Sequence, residues 1–273
     1  MLKPLVPHPA ALVTAKKTRL MVVADLHIGW EMALSEKGIY VPSQMPKLLA
    51  RLQALVSVYE PEELLILGDL KYSIARADMS EWHDVPDFFE GLKDRVKEIY
   101  VVRGNHDGNI EPLLTENVRM LPSTGAAFGE LGFFHGHRWP SPELLKCETL
   151  VMGHVHPVVV FRDPAGFRMT RQVWVKAPCN GVELADVLRQ KHKAEPDKFK
   201  HELTVPRTRQ LFIIPSFNEF LGGRPLNDRR PGKSAAMGPV LRSSVVDLEE
   251  AEIFLLDGTL LGTLRQLRML SQT

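Results

Sequence analysis

The stretch Leu20-Met21-Val22-Val23-Ala24-Asp25-Leu26-His27 decides how this chain is read. Five apolar residues run into a carboxylate, and an imidazole stands two places on. An apolar run of this length, bounded by turn residues, is the signature of a strand buried on both faces. The figure recurs four times. Residues 64–67 run into Gly68-Asp69, and residues 99–102 lead to Gly104-Asn105-His106-Asp107. Phe133-Phe134 leads to His135-Gly136-His137, and residues 150–152 lead to Gly153-His154-Val155-His156. In open α/β sheets, ligands bind in the crevice beyond the carboxyl ends of the strands. Five strand ends therefore deliver carboxylates, an amide and imidazoles to one place, as a site for two metal ions requires.

Around these strands the pattern alternates between strand and helix, which predicts an α/β layer architecture. Ser43 is placed to cap a helix carrying Leu48, Leu49, Leu52, Leu55 and Val56, which Pro61 closes. Trp82, Val85, Phe88, Phe89 and Leu92 mark a second helix, which tolerates Pro86 only near its first turn. Residues 110–116 suggest a short third helix, and Ser141-Pro142-Glu143 opens a fourth. After His156 the character turns to β. Residues 158–162 and 168–176 flank the turn Asp163-Pro164-Ala165-Gly166, and residues 211–214 form a further strand. Residues 252–256 and 259–264 flank Asp257-Gly258, a type I′ hairpin signal. The expected fold is two packed mixed β-sheets flanked by helices, the first mostly parallel and the second richer in hairpins. Residues 191–209 and 222–238 are expected as long surface loops.

The chain has 273 residues, 44% hydrophobic and 25% charged, an ordinary composition for a soluble globular protein. We read residues 1–273 as a single domain. It contains no run of 18 apolar residues, and its first residues carry no apolar core of a secretory signal. Only Cys147 and Cys179 are present, which fits neither a disulfide framework nor a zinc knuckle and points to a cytoplasmic setting. The net charge of +1 hides an asymmetry. Residues 186–242 hold twelve Lys/Arg against six Asp/Glu, a local net of +6, so the rest of the chain carries −5. This basic, loop-rich insertion reads either as a solvated surface or as a feature that attracts a polyanion.

The residue types at the strand ends suit two-metal chemistry. Asp25 and His27, two apart, can turn toward one cation; the two oxygens of Asp69 can bridge a pair. Asn105 adds a neutral amide oxygen, and His154 and His156 can each face a different ion. Gly68, Gly104, Gly136 and Gly153 let the backbone turn beside the ligands. Imidazole and carboxylate without thiolate suit Mn²⁺, Fe, Zn²⁺ or Ni²⁺, with Mn²⁺ our first expectation. Two such cations, roughly 3.5–4 Å apart, clamp a phosphoryl oxygen and bridge a hydroxide that attacks phosphorus in line. His106 is placed to protonate the leaving oxygen. Asp107 either orients His106 or caps the loop.

In these residues the chain resembles the calcineurin-like metallophosphoesterases, whose motifs D-x-H, G-D, G-N-H-D/E, H and G-H-x-H appear here in order. The resemblance implies a metallophosphoesterase-like four-layer sandwich and two divalent metal ions. It implies that Asp25, His27, Asp69 and His156 hold one ion and Asp69, Asn105, His135 and His154 the other. His106 matches the family's leaving-group histidine, and His137, two places beyond the ligand His135, faces substrate or supports the ligands. A narrower resemblance rests on residues 25–31, on Gly38-Ile39-Tyr40-Val41-Pro42, and on Ile214-Pro215-Ser216-Phe217-Asn218 followed by Gly222-Gly223. These are similar to an archaeal and DNA-ligase-associated branch, which implies phosphodiester processing of nucleic acid and DNA repair proteins as partners.

The expected activity is that of a metal-dependent phosphodiesterase or nuclease, with Arg224, Arg229, Arg230 and Lys233 as candidate phosphate contacts. The alternatives are a phosphatase or small-molecule phosphodiesterase acting on nucleotides, proteins or headgroups, and a non-catalytic scaffold that retains the fold. Trp30, Trp82, Trp139 and Trp174 are scattered and read as packing residues, although Trp139 lies near enough to His137 to stack a base.

Overall fold

Both faces of the central strands are apolar, and the two faces belong to different cores. The computed structural model describes residues 1–15, 18–75, 77–163, 165–191, 205–228 and 237–270. The first sheet has the order β1 (Leu2–Pro4), β2 (Ala11–Ala15), β3 (Thr18–Val23), β4 (Glu63–Ile66), β5 (Glu98–Val102), β6 (Val118–Leu121). The first three strands pair antiparallel and β3 to β6 pair parallel. Along β3 and just past it, Leu20, Val22 and Ala24 point into the core between the sheets, while Met21 and Val23 join the core beneath the helices. On β4, Leu65 and Leu64 divide in the same way. This period of two, apolar on both sides, is what makes these strands read as unbroken hydrophobic runs.

The second sheet contains β7 (Ala126–Phe128), β8 (Leu131–Phe133), β9 (Thr149–Met152), β10 (Pro157–Arg162), β11 (Arg168–Pro178), β12 (Gln210–Ile213) and β13 (Arg224–Pro225), in the order β13-β10-β11-β12-β9-β8-β7. The hairpin of β14 (Glu252–Leu255) and β15 (Leu260–Thr263) joins it through β11. Phe133, Val151, Trp174, Phe212 and Ile214 meet the first sheet face to face. Their other neighbours, such as Leu150, Val173, Val175, Leu211 and Ile213, face an outer core with Leu184, Leu188, Val240 and Leu267. The result is the expected four-layer sandwich of helix, sheet, sheet and helix.

The helices follow the expected positions, with local corrections. A short α1 (Met32–Ser35) precedes α2 (Met45–Tyr59), which buries Met45, Leu48, Leu52, Leu55 and Val56. Gln44, and not Ser43, occupies the N-cap of α2; Ser43 Oγ still accepts the Met45 N–H at 3.2 Å and donates to Asp84 at 2.6 Å. The helix ends because Glu60 turns left-handed at φ 43°, one residue before Pro61. In α3 (Glu81–Glu90), Pro86 lies inside the helix and not in its first turn. The bond it cannot donate would go to the carbonyl of half-exposed Trp82. Residues Glu111–Leu113 and Pro142–Lys146 are 3-10 turns, too short for α-helices. The outer layer on the second sheet comprises α4 (Gly181–Lys191), α5 (Gly238–Arg242) and α6 (Leu264–Leu270).

The β14–β15 turn differs from the expected type I′. Asp257 keeps a negative φ, and only Gly258, at φ 90°, is left-handed. Gly258 N–H bonds to Leu255 O at 3.0 Å and Leu255 N–H to Thr259 O at 2.9 Å. This is the three-residue loop closed by a glycine bulge, with the Asp257 carboxylate accepting the Thr259 N–H. Within residues 186–242, β12 is a central strand of the second sheet and β13 pairs with β10, so the described part of this segment is not all loop. The remainder of both expected loops, including Arg229, Arg230 and Lys233, lies outside the described residues. No helix among the described residues is long and apolar enough to cross a membrane.

Phe133 is fully buried between the sheets, edge-on to Phe128. Truncation to alanine leaves a cavity that neither sheet can collapse to fill. Phe133→Ala is expected to lower stability by about 3–5 kcal/mol in denaturant unfolding of the metal-free protein.

Candidate metal centre

All five ligand-bearing segments emerge at the same ends of β3, β4, β5, β8 and β9, which run parallel within their sheets. Asp25 and His27 follow β3, Asp69 follows β4, Asn105 and His106 follow β5, His135 follows β8, and His154 and His156 follow β9. Three groups of donors form there: Asp25, His27 and His156; His27, Asp69 and His106; and Asp69, His135 and His154, with donor atoms within 4.8 Å in each group. His135 Nε2 lies 3.2 Å from Asp69 Oδ2 and 3.3 Å from Asn105 Oδ1. His27 Nε2 faces His156 Nε2 at 3.3 Å and Asp69 Oδ2 at 3.6 Å, and His156 Nε2 faces Asp25 Oδ1 at 3.6 Å.

The sequence suggested that glycines make the sharp turns here. The turns are instead made largely by the donors: Asp25, His27, Asp69, His154 and His156 all have φ between 43° and 72°. For non-glycine residues this left-handed conformation costs about 1–3 kcal/mol each and is found where surrounding contacts enforce it. Gly104 and Gly153, which are not left-handed, serve a different purpose. A Cβ on Gly104 would stand 2.1 Å from Asp69 Oδ1 and 2.3 Å from the Asp69 amide nitrogen; one on Gly153 would stand 2.8 Å from Asp25 Oδ2. The missing side chains make room for carboxylates from neighbouring strands.

His135 and His106 each direct one ring nitrogen to a main-chain carbonyl. His135 Nδ1 donates to Leu67 O at 2.8 Å, and His106 Nδ1 meets Tyr72 O. Such bonds select the tautomer and leave the other nitrogen for the centre. His106 also packs edge-on to His27, with ring centroids 4.7 Å apart. Asp107 is fully buried, and its two oxygens receive the N–H groups of Gly104 at 2.7 Å, Asp69 at 2.9 Å and Leu70 at 2.9 Å. It thus ties the β4 and β5 loops together, a loop-capping arrangement. His137 sits at the rim, its ring 5.3 Å from that of His135. Trp139 packs against the outer core, Trp174 fills the space between the sheets, and Trp30 stacks on Phe220 at 5.7 Å.

Three supporting residues escaped sequence reasoning: Tyr72, Lys71 and Glu81. Fully buried Glu81 receives the N–H groups of Tyr72 at 3.0 Å, Ser73 at 2.7 Å and Asp78 at 2.8 Å, fixing the loop whose carbonyl holds His106. In sequence it is an ordinary acidic residue in the first turn of a helix. Buried Lys71 meets the Ser73 carbonyl and lies near Glu81, Asp107 and Asp69.

The electrostatics show a donor set without its cation. Burial drives His27 down to about 3. Burial and the charge on His135 drive His154 down to about 4. Both imidazoles are therefore neutral, the form that ligates, and the Nδ1 atoms of both are buried without a hydrogen-bond partner. His135 is the reverse. Burial opposes its charge, but Asp69 and Asp25 hold it up at about 10, and Asp25 likewise raises His156 against burial. Those protons occupy the place of positive charge beside Asp25 and Asp69, and a bound metal would displace them. Burial and the neighbouring Asp69 push Asp107 up to about 6. The donor chemistry, the orphaned nitrogens and the clustered carboxylates fit divalent metal ions.

The calcineurin-like phosphoesterase family model matches residues 18–188, a span that contains all five strand ends. The chain belongs to the calcineurin-like phosphoesterases. Membership makes it a metal-dependent phosphoester hydrolase, a reading in keeping with the donor clusters. Among solved structures, it is similar to the nuclease MPE of Pseudomonas putida. That match has 20% identity and a TM-score of 0.51, covering 94% of this chain and 98% of the other. A match to Yfce, a phosphoesterase from E. coli, has 21% identity and a TM-score of 0.34, covering 53% of this chain and 73% of the other. No curated protein sequence matches.

Two outcomes follow for this phosphoesterase. His27 and His154 titrate in the folded metal-free protein below the unfolded value of 6.5, at about 3 and about 4. The folded state thus binds fewer protons, and the stability these residues contribute above pH 6.5 is lost as pH falls toward 4. His135, raised to about 10, contributes below its unfolded value and loses that contribution as pH rises through about 10. Urea unfolding of metal-free protein across pH is expected to show stability declining on both sides. Gly104→Ala, which drives a methyl into the Asp69 main chain, is expected to reduce bound metal measured by elemental analysis.

Proposed function

We propose that this chain is a two-metal phosphodiesterase acting on nucleic acid, with Asp25, His27, Asp69, Asn105, His135, His154 and His156 as metal ligands and His106 as the acid for the leaving group. The observation that carries the reading is the convergence of seven neutral or anionic donors around Asp69, with His106 beside them and tethered by its Nδ1 to Tyr72 O. When bound, the metals supply Lewis-acid polarisation of a phosphoryl oxygen and an activated water. We favour Mn²⁺, with Fe, Zn²⁺ and Ni²⁺ accepting the same donors.

The chain's own residues do the remainder. Asp69, near both His27 and His135, is placed to share its carboxylate between the two ions. A ring nitrogen of His106 lies within 4.8 Å of donor atoms of His27 and Asp69, next to where a scissile phosphate would sit. From there it gives its proton to the departing oxygen. Asp107 acts one step back: by gathering the Gly104, Asp69 and Leu70 amides it keeps the His106 and Asp69 loops in register. His137 borders the ligands at the rim, where a phosphate oxygen or sugar of the substrate would approach.

Three features support nucleic acid as the substrate. The basic bias of residues 186–242 suits a polyanion. The stretches 25–31 and 214–218 resemble the archaeal and DNA-ligase-associated branch, which also makes DNA repair proteins the proposed partners. The fold is shared along nearly the full length with a nuclease, so it accommodates such a substrate.

The metal-loaded protein is expected to cleave a chromogenic phosphodiester and an oligonucleotide, with cleavage of the latter falling steeply as salt rises. Asp69→Asn should abolish turnover. His106→Ala should lower kcat about 10²–10⁴-fold, most severely for a poor leaving group. Robust monoesterase activity without diesterase activity would replace this reading with that of a phosphatase.

A further inference from the structure

A sixth strand end reaches the centre without contributing a ligand. Beyond β12 the chain reads Ile214-Pro215-Ser216-Phe217-Asn218, which lies outside the residues matched by the family. Ser216 and Asn218 are both fully buried. Buried polar groups require partners, and these residues find theirs on the Asp25-Leu26-His27 segment, 191 and 192 positions away in sequence. Phe217 N–H donates to Ala24 O, Ser216 Oγ to Asp25 O and Asn218 Nδ2 to Leu26 O, each at 2.8 Å. Three successive carbonyls are thereby satisfied.

The N–H groups of the same segment are held from the opposite side. Asp25 N–H donates to Gly68 O at 3.1 Å, His27 N–H to Asp69 O at 2.9 Å and Ile28 N–H to Leu70 O at 2.8 Å. The segment that carries two donors in left-handed conformations therefore lies between two loops, one gripping its amides and the other its carbonyls. The gripping loop is itself anchored. Gln172 donates to Ser216 O at 2.8 Å, Arg51 donates to Phe217 O at 3.2 Å, and the Arg51 guanidinium stacks over the Phe217 ring at 5.0 Å. Asn218 Oδ1 accepts the Phe220 N–H at 3.1 Å, which fixes the amide's orientation and presents its NH₂ to Leu26.

We propose that Ser216 and Asn218 are positioning residues for the metal half-site of Asp25 and His27, acting through the carbonyls of Asp25 and Leu26. The proposal rests on the two-metal reading above. Without these bonds the segment relaxes from its left-handed turns, and the Asp25 and His27 donors lose their common aim. The other half-site, built on Asn105, His135 and His154, has its own supports from Leu67 and Asp107 and is untouched.

The test is calorimetric titration of the metal-depleted full chain with Mn²⁺ and with Co²⁺, comparing wild type, Ser216→Ala, Asn218→Ala and the hydroxyl-retaining Ser216→Thr. The wild type is expected to bind two ions. Each alanine variant should weaken one of the two sites about 10–100-fold, leave the other unchanged, and keep the circular dichroism and unfolding midpoint of the metal-free protein near wild type. Ser216→Thr should restore the weakened site toward wild-type affinity. The inference fails if both affinities are unchanged in folded variants, if both fall together, or if both alanine variants lose the metal-free fold. A wild type that binds no metal would instead overturn the two-metal reading and leave the hydrogen bonds as structural supports.

Discussion

Asp25 and Asp69 lie fully buried, or nearly so, at the ends of adjacent parallel strands, and their carboxylates share one set of imidazole neighbours. Two buried carboxylates at such close quarters are tolerated only if positive charge is supplied. In the metal-free protein His135 and His156 supply it by holding protons; a divalent cation supplies it better and frees those nitrogens to ligate. The composition of the crevice follows from this requirement. Imidazoles that can be neutral or charged surround the carboxylates, the amide of Asn105 adds an oxygen without adding charge, and the glycines nearby make room for the carboxylate oxygens.

The same requirement explains why the loops are so heavily tied. Five donors adopt left-handed backbone conformations, and strain of that kind persists only where other contacts outweigh it. Buried polar side chains provide those contacts. Asp107 joins the β4 and β5 loops, Glu81 fixes the turn bearing Tyr72, and the loop after β12 covers the carbonyls beside Asp25. None of these need touch a cation, yet each determines where a donor points. The sandwich below supplies a rigid base, since strands packed on both faces cannot shift without opening two cores.

Much of the fold was legible because the hydrophobic pattern is local. Apolar runs on both-faced strands, Gly and Pro at their ends and a 3.6-residue spacing between them led to the layers and to the strand ends. Errors arose where neighbouring contacts outweighed local preference. Pro86 is accommodated inside α3 because Val85, Phe88 and Phe89 anchor that helix in the core. Ser43 lost the N-cap of α2 to Gln44, and its hydroxyl bonds to Asp84 of α3. Asp257-Gly258 offered two residues for a type I′ turn, yet the strands close through a three-residue loop with only Gly258 left-handed.

The sequence by itself determined the kind of site and its address: carboxylates, an amide and imidazoles at the ends of five buried strands, with spacing that follows from a chain leaving a sheet. Only the tertiary structure decided what holds those groups in place. Asp107 reads as a catalytic partner of His106 from its neighbouring number, but its oxygens are taken by amides from two loops. Ser216 and Asn218 read as an ordinary turn, but they bond carbonyls more than 190 residues away. The reason is physical. Hydrophobic periodicity is written along the chain and survives in one dimension, whereas a buried polar group is defined by its partner, and partners are chosen when distant loops meet.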